Sequence, residues 1–130
     1  MILFLGGYSM NDSILITVKE KIGIDRNNTD FDRDLIIAIN AVLFILYQEG
    51  LSDENYKIKD TTKKWSDILL NGVTPDALEE IKEWTGLKVK MLFDPPTSSV
   101  LGDAIKENIN ELEWRAFITN NYVGEIGNWN

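Results

Sequence analysis

The run FDRDLIIAINAVLFILYQE, residues 31–49, constrains the fold of this chain more than any other stretch. It is the most hydrophobic run long enough to form a helix. Laid out at about 100° per residue, Leu35, Ile39, Val42 and Leu46 form one stripe, the spacing of an amphipathic helix. Ile36 and Leu43 lie beside that stripe, Ile37 and Phe44 point the opposite way, and only Asn40 and Tyr47 mark a polar direction. A helix that is apolar nearly all round has to be covered nearly all round. From Leu35 to Tyr47 it spans only ~20 Å, short of the ~30 Å hydrocarbon core of a bilayer, and its first turn carries Asp32, Arg33 and Asp34. The expectation is therefore a central helix wrapped by its neighbours, with another copy of the chain among the candidates for the covering.

Around this helix the chain has 130 residues, read as a single domain over 1–130 that can bury roughly two thirds of its unfolded surface. Its 13 Lys and Arg face 21 Asp and Glu, a net charge of −8. Such a surface repels phosphate backbones, which argues against stable nucleic-acid binding yet lets DNA pass without sticking. Cysteine is absent, so there is neither a disulfide framework nor a thiolate site. Histidine is absent too. That removes the commonest general base and metal ligand, and every Ser–His or Cys–His nucleophile. No glycine-rich phosphate loop, paired acid and base, or metal-ligand spacing occurs; no enzyme, metal or cofactor is expected.

Taken in order, residues 1–9 read as a short strand or a loose extension, with too short an apolar run for a signal peptide. A second reading is that they are not native. Gly6-Gly7-Tyr8-Ser9-Met10 can be encoded by a purine-rich ribosome-binding site and a start codon, which would place the first residue at Met10; an intact mass that includes Met1 refutes it. A first helix is expected over Asp12–Ile22, capped by Asn11 or Asp12 and stopped by Gly23, with Leu15, Val18 and Ile22 buried. Thr29 and Asp32 have the spacing of a capping box for the central helix, and Gly50 ends it. Residues 52–64 are polar and alternate briefly at Tyr56-Lys57-Ile58-Lys59, which reads as a loop with a short strand or hairpin arm. A helical turn at 65–70 and an Asn71-Gly72 turn follow.

Thr74-Pro75 then opens a helix whose stripe is Leu78, Ile81, Trp84, Leu87 and Met91, widened by Val89, Leu92 and Phe93. Gly86 in its middle costs about 1 kcal/mol relative to Ala, so it marks a kink or a close contact. Asp94-Pro95-Pro96 stops the helix, and Thr97 or Ser98 caps the last one over about 99–118. In that helix Leu101, Ile105, Ile109, Leu112 and Ala116 fall within about 80° of one another. Trp114 falls opposite, among Asp103, Glu107 and Asn110. It is either an isolated exposed aromatic or part of a partner surface, where aromatics are enriched. The tail from 119 to 130 carries Tyr122, Ile126 and Trp129 among Gly and Asn, and reads as flexible when free and able to order on a partner. Lys57, Lys59, Lys63 and Lys64 form the one basic cluster, either a solvated loop or a contact for an acidic partner or a passing phosphate backbone. Asp30, Asp32 and Asp34 copy the opening of a calcium loop, but Leu35 and Ala41 stand where Gly and Glu are needed; they read as acids at a helix N-terminus.

Several stretches together point to a family. DSILITVKEKIG at 12–23, FDRDLIIAIN at 31–40, LKVKMLFDPPTSS at 87–99 and ELEWR at 111–115 resemble the head–tail connector (adaptor) proteins of bacteriophages with long non-contractile tails, over about residues 10–117. The family pattern has Arg where Lys90 stands and a larger residue at Gly86. The resemblance implies an all-α fold: a small bundle of about four main helices with a loop or short β-arm insertion and a flexible C-terminal tail. It implies a non-catalytic virion protein at the head–tail junction, assembled in the host cytoplasm. It also implies a ring of copies, twelvefold in the virion, under the portal protein and above a stopper or tail-completion protein, with DNA passing through and no membrane involved. Asp94, Pro95, Pro96, Thr97 and Ser98 would then set the corner between the two long helices. Trp114 would pack on a neighbouring subunit, and Tyr122, Ile126 and Trp129 would order on the portal. Two rival readings have other signatures. A small helical regulatory or interaction protein without ring assembly would need a basic recognition helix if it bound DNA, and a carboxylate enzyme would need two acids converging in a pocket.

Overall fold

In the computed structural model of the protein, residues 12–69 and 73–115 are described. They form the all-α bundle expected from the sequence, with no strand among them. The helices are α1 (Ile14–Ile22), α2 (Asp32–Gln48), the single turn α3 (Trp65–Ile68), α4 (Pro75–Phe93) and α5 (Ser99–Glu113).

Local chemistry sets most of their ends. Ser13, one residue beyond the two caps expected, caps α1 by accepting from the Ile16 amide at 3.3 Å. Gly23 takes a left-handed φ of 83°, and the Ile24 amide donates back to Lys19 O at 2.8 Å, the wrap that stops a helix cleanly. Gly50, at φ 81°, ends α2 in the same way, with the Leu51 amide on Leu46 O at 3.0 Å. Thr74 caps α4 through the Ala77 amide at 3.1 Å, with Pro75 in the first turn. Ser98 caps α5 through the Leu101 amide at 3.3 Å.

The capping box expected at the start of α2 does not form. Phe31 holds the cap position and makes no side-chain cap bond. The Asp32 carboxylate turns instead to Lys19 Nζ, 2.6 Å away. Lys19 is only 1% exposed and also donates to Arg26 O at 3.3 Å, so a buried lysine paired with the half-buried Asp32 pins the link between α1 and α2. The oxygen facing Lys19, Asp32 Oδ1, has no well-aligned hydrogen bond of its own, which leaves the attraction chiefly coulombic.

α4 is the hub: it packs against α1, α2 and α5, while α1 and α2 touch each other more narrowly. Ile81, Trp84, Thr85, Gly86 and Val89 of α4 are all buried. Gly86 marks a close contact, not a kink. α4 runs unbroken across it, and a Cβ there would lie 2.6 Å from Lys21 Cβ of α1. Ile14 to Lys19 of α1 are buried without a break, a more complete enclosure than a one-sided stripe gives. Trp65 of α3 is buried against α1 and donates from Nε1 to Thr17 Oγ1 at 3.2 Å.

Three expectations change. α2 buries Leu35, Ile39, Val42 and Leu46 as its pattern requires, but Ile37, Phe44 and Tyr47 stay exposed. The described residues therefore do not wrap this helix. Leu92 is exposed because it lines an open groove between α2, α4 and α5. Leu101 is 51% exposed although it belongs to the core stripe of α5; the stripe begins inside the corner, ahead of the point where Ile109 and Leu112 reach the core. Residues 1–9, Met10, the Asn71-Gly72 turn, Ala116 and the tail residues Tyr122, Ile126 and Trp129 lie outside the described residues.

Candidate interaction surfaces

The first surface is built on α2. Arg33, Ile37, Ala41 and Phe44 recur at helical spacing and are all exposed, with Ile37 at 62%. The Phe44 and Tyr47 rings lie 6.3 Å apart on this side. A polypeptide arm, residues 50–64, borders it. Asn40 of α2 holds the arm by a double hydrogen bond: its Oδ1 accepts from the Ile58 amide at 2.7 Å, and its Nδ2 donates to Ile58 O at 3.1 Å. The side-chain amide thus replaces the strand partner that the Tyr56–Lys59 alternation would otherwise need. Ile58 is buried, and its neighbours Lys57 and Lys59 are exposed. The far end of the arm is fixed by the Ile14 amide on Lys63 O at 3.1 Å and by a single bridge between Ser13 and Lys64.

The basic cluster is therefore part of a tethered segment. Lys63 Nζ lies 5.8 Å from the centre of the Tyr56 ring. Lys57 and Lys59 have no ion-pair partner among the described residues. Tyr56 donates to Asp53 Oδ1 at 2.7 Å; that bond, with partial desolvation and the negative charges of Asp53 and Glu54, pushes its phenol up to about 12. Thr62 donates to Asp60 from its hydroxyl at 2.6 Å and its amide at 2.9 Å, which holds the Asp60 carboxyl below its ordinary range.

The second surface is the hairpin of α4 and α5. Asp94, Pro95, Pro96, Thr97 and Ser98 form the corner between them. The Asp94 amide closes α4 on Lys90 O at 2.7 Å, and Lys90 Nζ lies 3.8 Å from the Asp94 carboxylate. At the other end Trp84 Nε1 donates to Glu113 Oε2 at 2.9 Å. Arg115 pairs with Glu111 and with Glu80, and those carboxylates raise its pKa. The outward face of α5 carries Val100, 79% exposed, Asp103, Ala104, Glu107, Glu111 and Trp114, 62% exposed.

Between the two surfaces runs an open groove of about 520 Å³. Ala41, Val42 and Ile45 of α2, Met91 and Leu92 of α4, and Ile109 of α5 give it an apolar lining, with Lys88, Lys106 and Glu113 among its polar groups. No group of three or more Asp or Glu side chains among the described residues is arranged to hold a metal ion, and no helix there is long and apolar enough to cross a membrane.

Asn40 and Lys19 are the residues that periodicity missed. Asn40 stood out in the pattern as the polar mark on α2, and its isolation there was the available signal. Lys19 gave none, since its position in α1 is ordinary for a solvated lysine.

A family model described as phage connector protein matches residues 14–123. The chain belongs to the phage connector protein family. No match was found among curated proteins or among solved structures. The connector family is structural and non-catalytic, located in the virion and associated with portal and tail components. The five described helices lie within the matched span, so the α2 face, the arm and the corner are parts of the connector fold.

Proposed function

We propose that the chain, folded as one domain, assembles into a twelvefold ring beneath the portal protein, joins the capsid to the tail and extends the channel through which DNA leaves. The match to the connector family over residues 14–123 carries this reading. Two physical features support it. The apolar face of α2 calls for a partner, because contiguous exposed apolar surface of this kind is characteristic of association sites. A net charge of −8 suits a channel wall along which a phosphate backbone slides without adhering.

In this reading the Asp94–Ser98 corner is structural. Trp114 packs against a neighbouring subunit, while Tyr122, Ile126 and Trp129 order against the portal. The lower rim of the ring receives the stopper or tail-completion protein. The test is co-sedimentation with the portal protein of the same phage, followed by negative-stain imaging. Rings stacked on the portal are the expected product. A folded connector that leaves a well-folded portal bare at high concentration refutes the assignment.

A further inference from the structure

We infer that successive copies of this chain meet by laying the outward face of α5 along the open face of α2, with Asp103 and Glu107 of one copy against Lys57 and Lys59 of the next. This rests on the ring reading and names the two surfaces that would build it.

The α2 face sets the requirements. Small Ala41 lies between Ile37 and Phe44 along the helix and also lines the open groove of α2, α4 and α5, so the apolar hollow beside this face is that groove. The arm edges it with Lys57 and Lys59, which lack ion-pair partners among the described residues. Asn40 holds Ile58 between them through two hydrogen bonds, so the two charges are presented from a fixed backbone. An occupant of this face needs apolar groups for the hollow and negative charge on one flank.

The same chain carries such a surface on α5. Val100 and Ala104 are exposed one turn apart, and Asp103 and Glu107 lie beside them. Neither acid has an ion-pair partner among the described residues. The spacings also agree. Two residues of extended backbone place Lys57 and Lys59 ~6.6 Å apart, and four residues of helix place Asp103 and Glu107 ~6 Å apart. Like charges would otherwise oppose association of a chain with net charge −8. A contact that sets Lys57 and Lys59, the second of which also acts on the adjacent Asp60, against Asp103 and Glu107 removes that obstacle where it matters. Because the two faces lie on different helices, each copy offers one to either neighbour. Such a heterologous contact closes into a ring when the rotation permits.

The absence of cysteine makes the contact directly testable. Ala41→Cys and Ala104→Cys variants, both at exposed small residues, are mixed, assembled on the portal and oxidised. Cross-linked dimers containing one of each are expected. The paired reversals Lys57→Glu with Lys59→Glu, or Asp103→Lys with Glu107→Lys, should each lower the linked yield by on the order of tenfold at low salt. Mixing the two reversed proteins should restore linkage at the reversed contact, which a folding defect would not allow. Imaged rings with no mixed cross-link, or with Ala41→Cys linked only to itself, overturn the assignment of faces while the ring stands. Absence of rings with the wild-type chain overturns both.

Discussion

α4 packs against three helices, whereas α2, the more hydrophobic of the two, leaves Ile37, Phe44 and Tyr47 in solvent. The difference lies in which residues are buried. α4 encloses Thr85 and Gly86 beside Ile81, Trp84 and Val89; the Thr85 hydroxyl is satisfied on Ile81 O at 2.8 Å, and the missing side chain of Gly86 admits α1. Small residues bring helix axes together, and the number of neighbours follows from that approach. α2 carries large apolar side chains on its outward side as well as its buried one, so its surplus apolar surface faces outward. Centrality in this bundle comes from small residues; hydrophobicity left over after folding marks a place for another molecule.

The largest expected effect separates the two faces of α2. Ile39→Ala should cost about 2–5 kcal/mol of stability, because Ile39 is fully buried and its loss leaves a cavity. Ile37→Ala should change the stability of the free chain by no more than about 0.5 kcal/mol while weakening ring formation. Urea denaturation of both variants checks the first half, and imaging on the portal the second. Equal costs in the free chain would mean that Ile37 is covered without a partner, and the contrast with α4 would collapse.

Gly86→Ala addresses the other helix. Alanine improves helix propensity by about 1 kcal/mol, but its Cβ would lie 2.6 Å from Lys21 Cβ, a stem atom with little freedom to move. Overpacking of this kind costs about 1–3 kcal/mol, so a net loss of stability in urea is expected. A gain would show that α1 does not cross α4 at this point.

Periodicity made much of the bundle legible. Four main helices, the stops at Gly23 and Gly50, the Thr74-Pro75 start and the buried stripe of α2 all follow from local rules that the structure keeps. What stayed illegible depends on distance. Lys19 is buried because Asp32, remote in sequence, lies against it, and neither residue's own neighbours announce the pair. Leu101 obeys the stripe of α5 yet is exposed, since periodicity gives the direction a side chain points and not whether another helix reaches it. The α2 and α5 faces were legible only as residues left over: Ile37 and Phe44 opposite a core stripe, Trp114 opposite another.

Asn40→Ala should release the arm from α2. Ile58 is buried, so its amide and carbonyl would both lose their partner, a cost of about 1–3 kcal/mol. Amide hydrogen exchange at Ile58 should quicken while the core amides of α4 keep their relative protection. If exchange at Ile58 is unchanged, water or another group already serves that backbone, and α2 is not what orders the lysines.

The smallest effect reads the arm itself. In the unfolded chain Tyr56 should lose its proton near pH 10, and in the folded protein near the value of about 12 set by its bond to Asp53. A pKa raised by folding means that the contribution is intact below pH 10 and fades as pH climbs toward 12. The chain has four tyrosines, so the Tyr56 titration is obtained as the difference in phenolate absorbance between wild type and Tyr56→Phe. Asp53→Asn should bring it back toward 10, because it removes the carboxylate that accepts the phenolic hydrogen. A Tyr56 that titrates near 10 in the folded wild-type protein would mean the Tyr56–Asp53 bond is not kept in solution. The arm would then be held by Asn40, by the Ile14–Lys63 hydrogen bond and Ser13–Lys64 bridge, and by the burial of Ile58. Lys57 and Lys59 would lose part of the order that makes α2 differ from α4 in more than its apolar surplus.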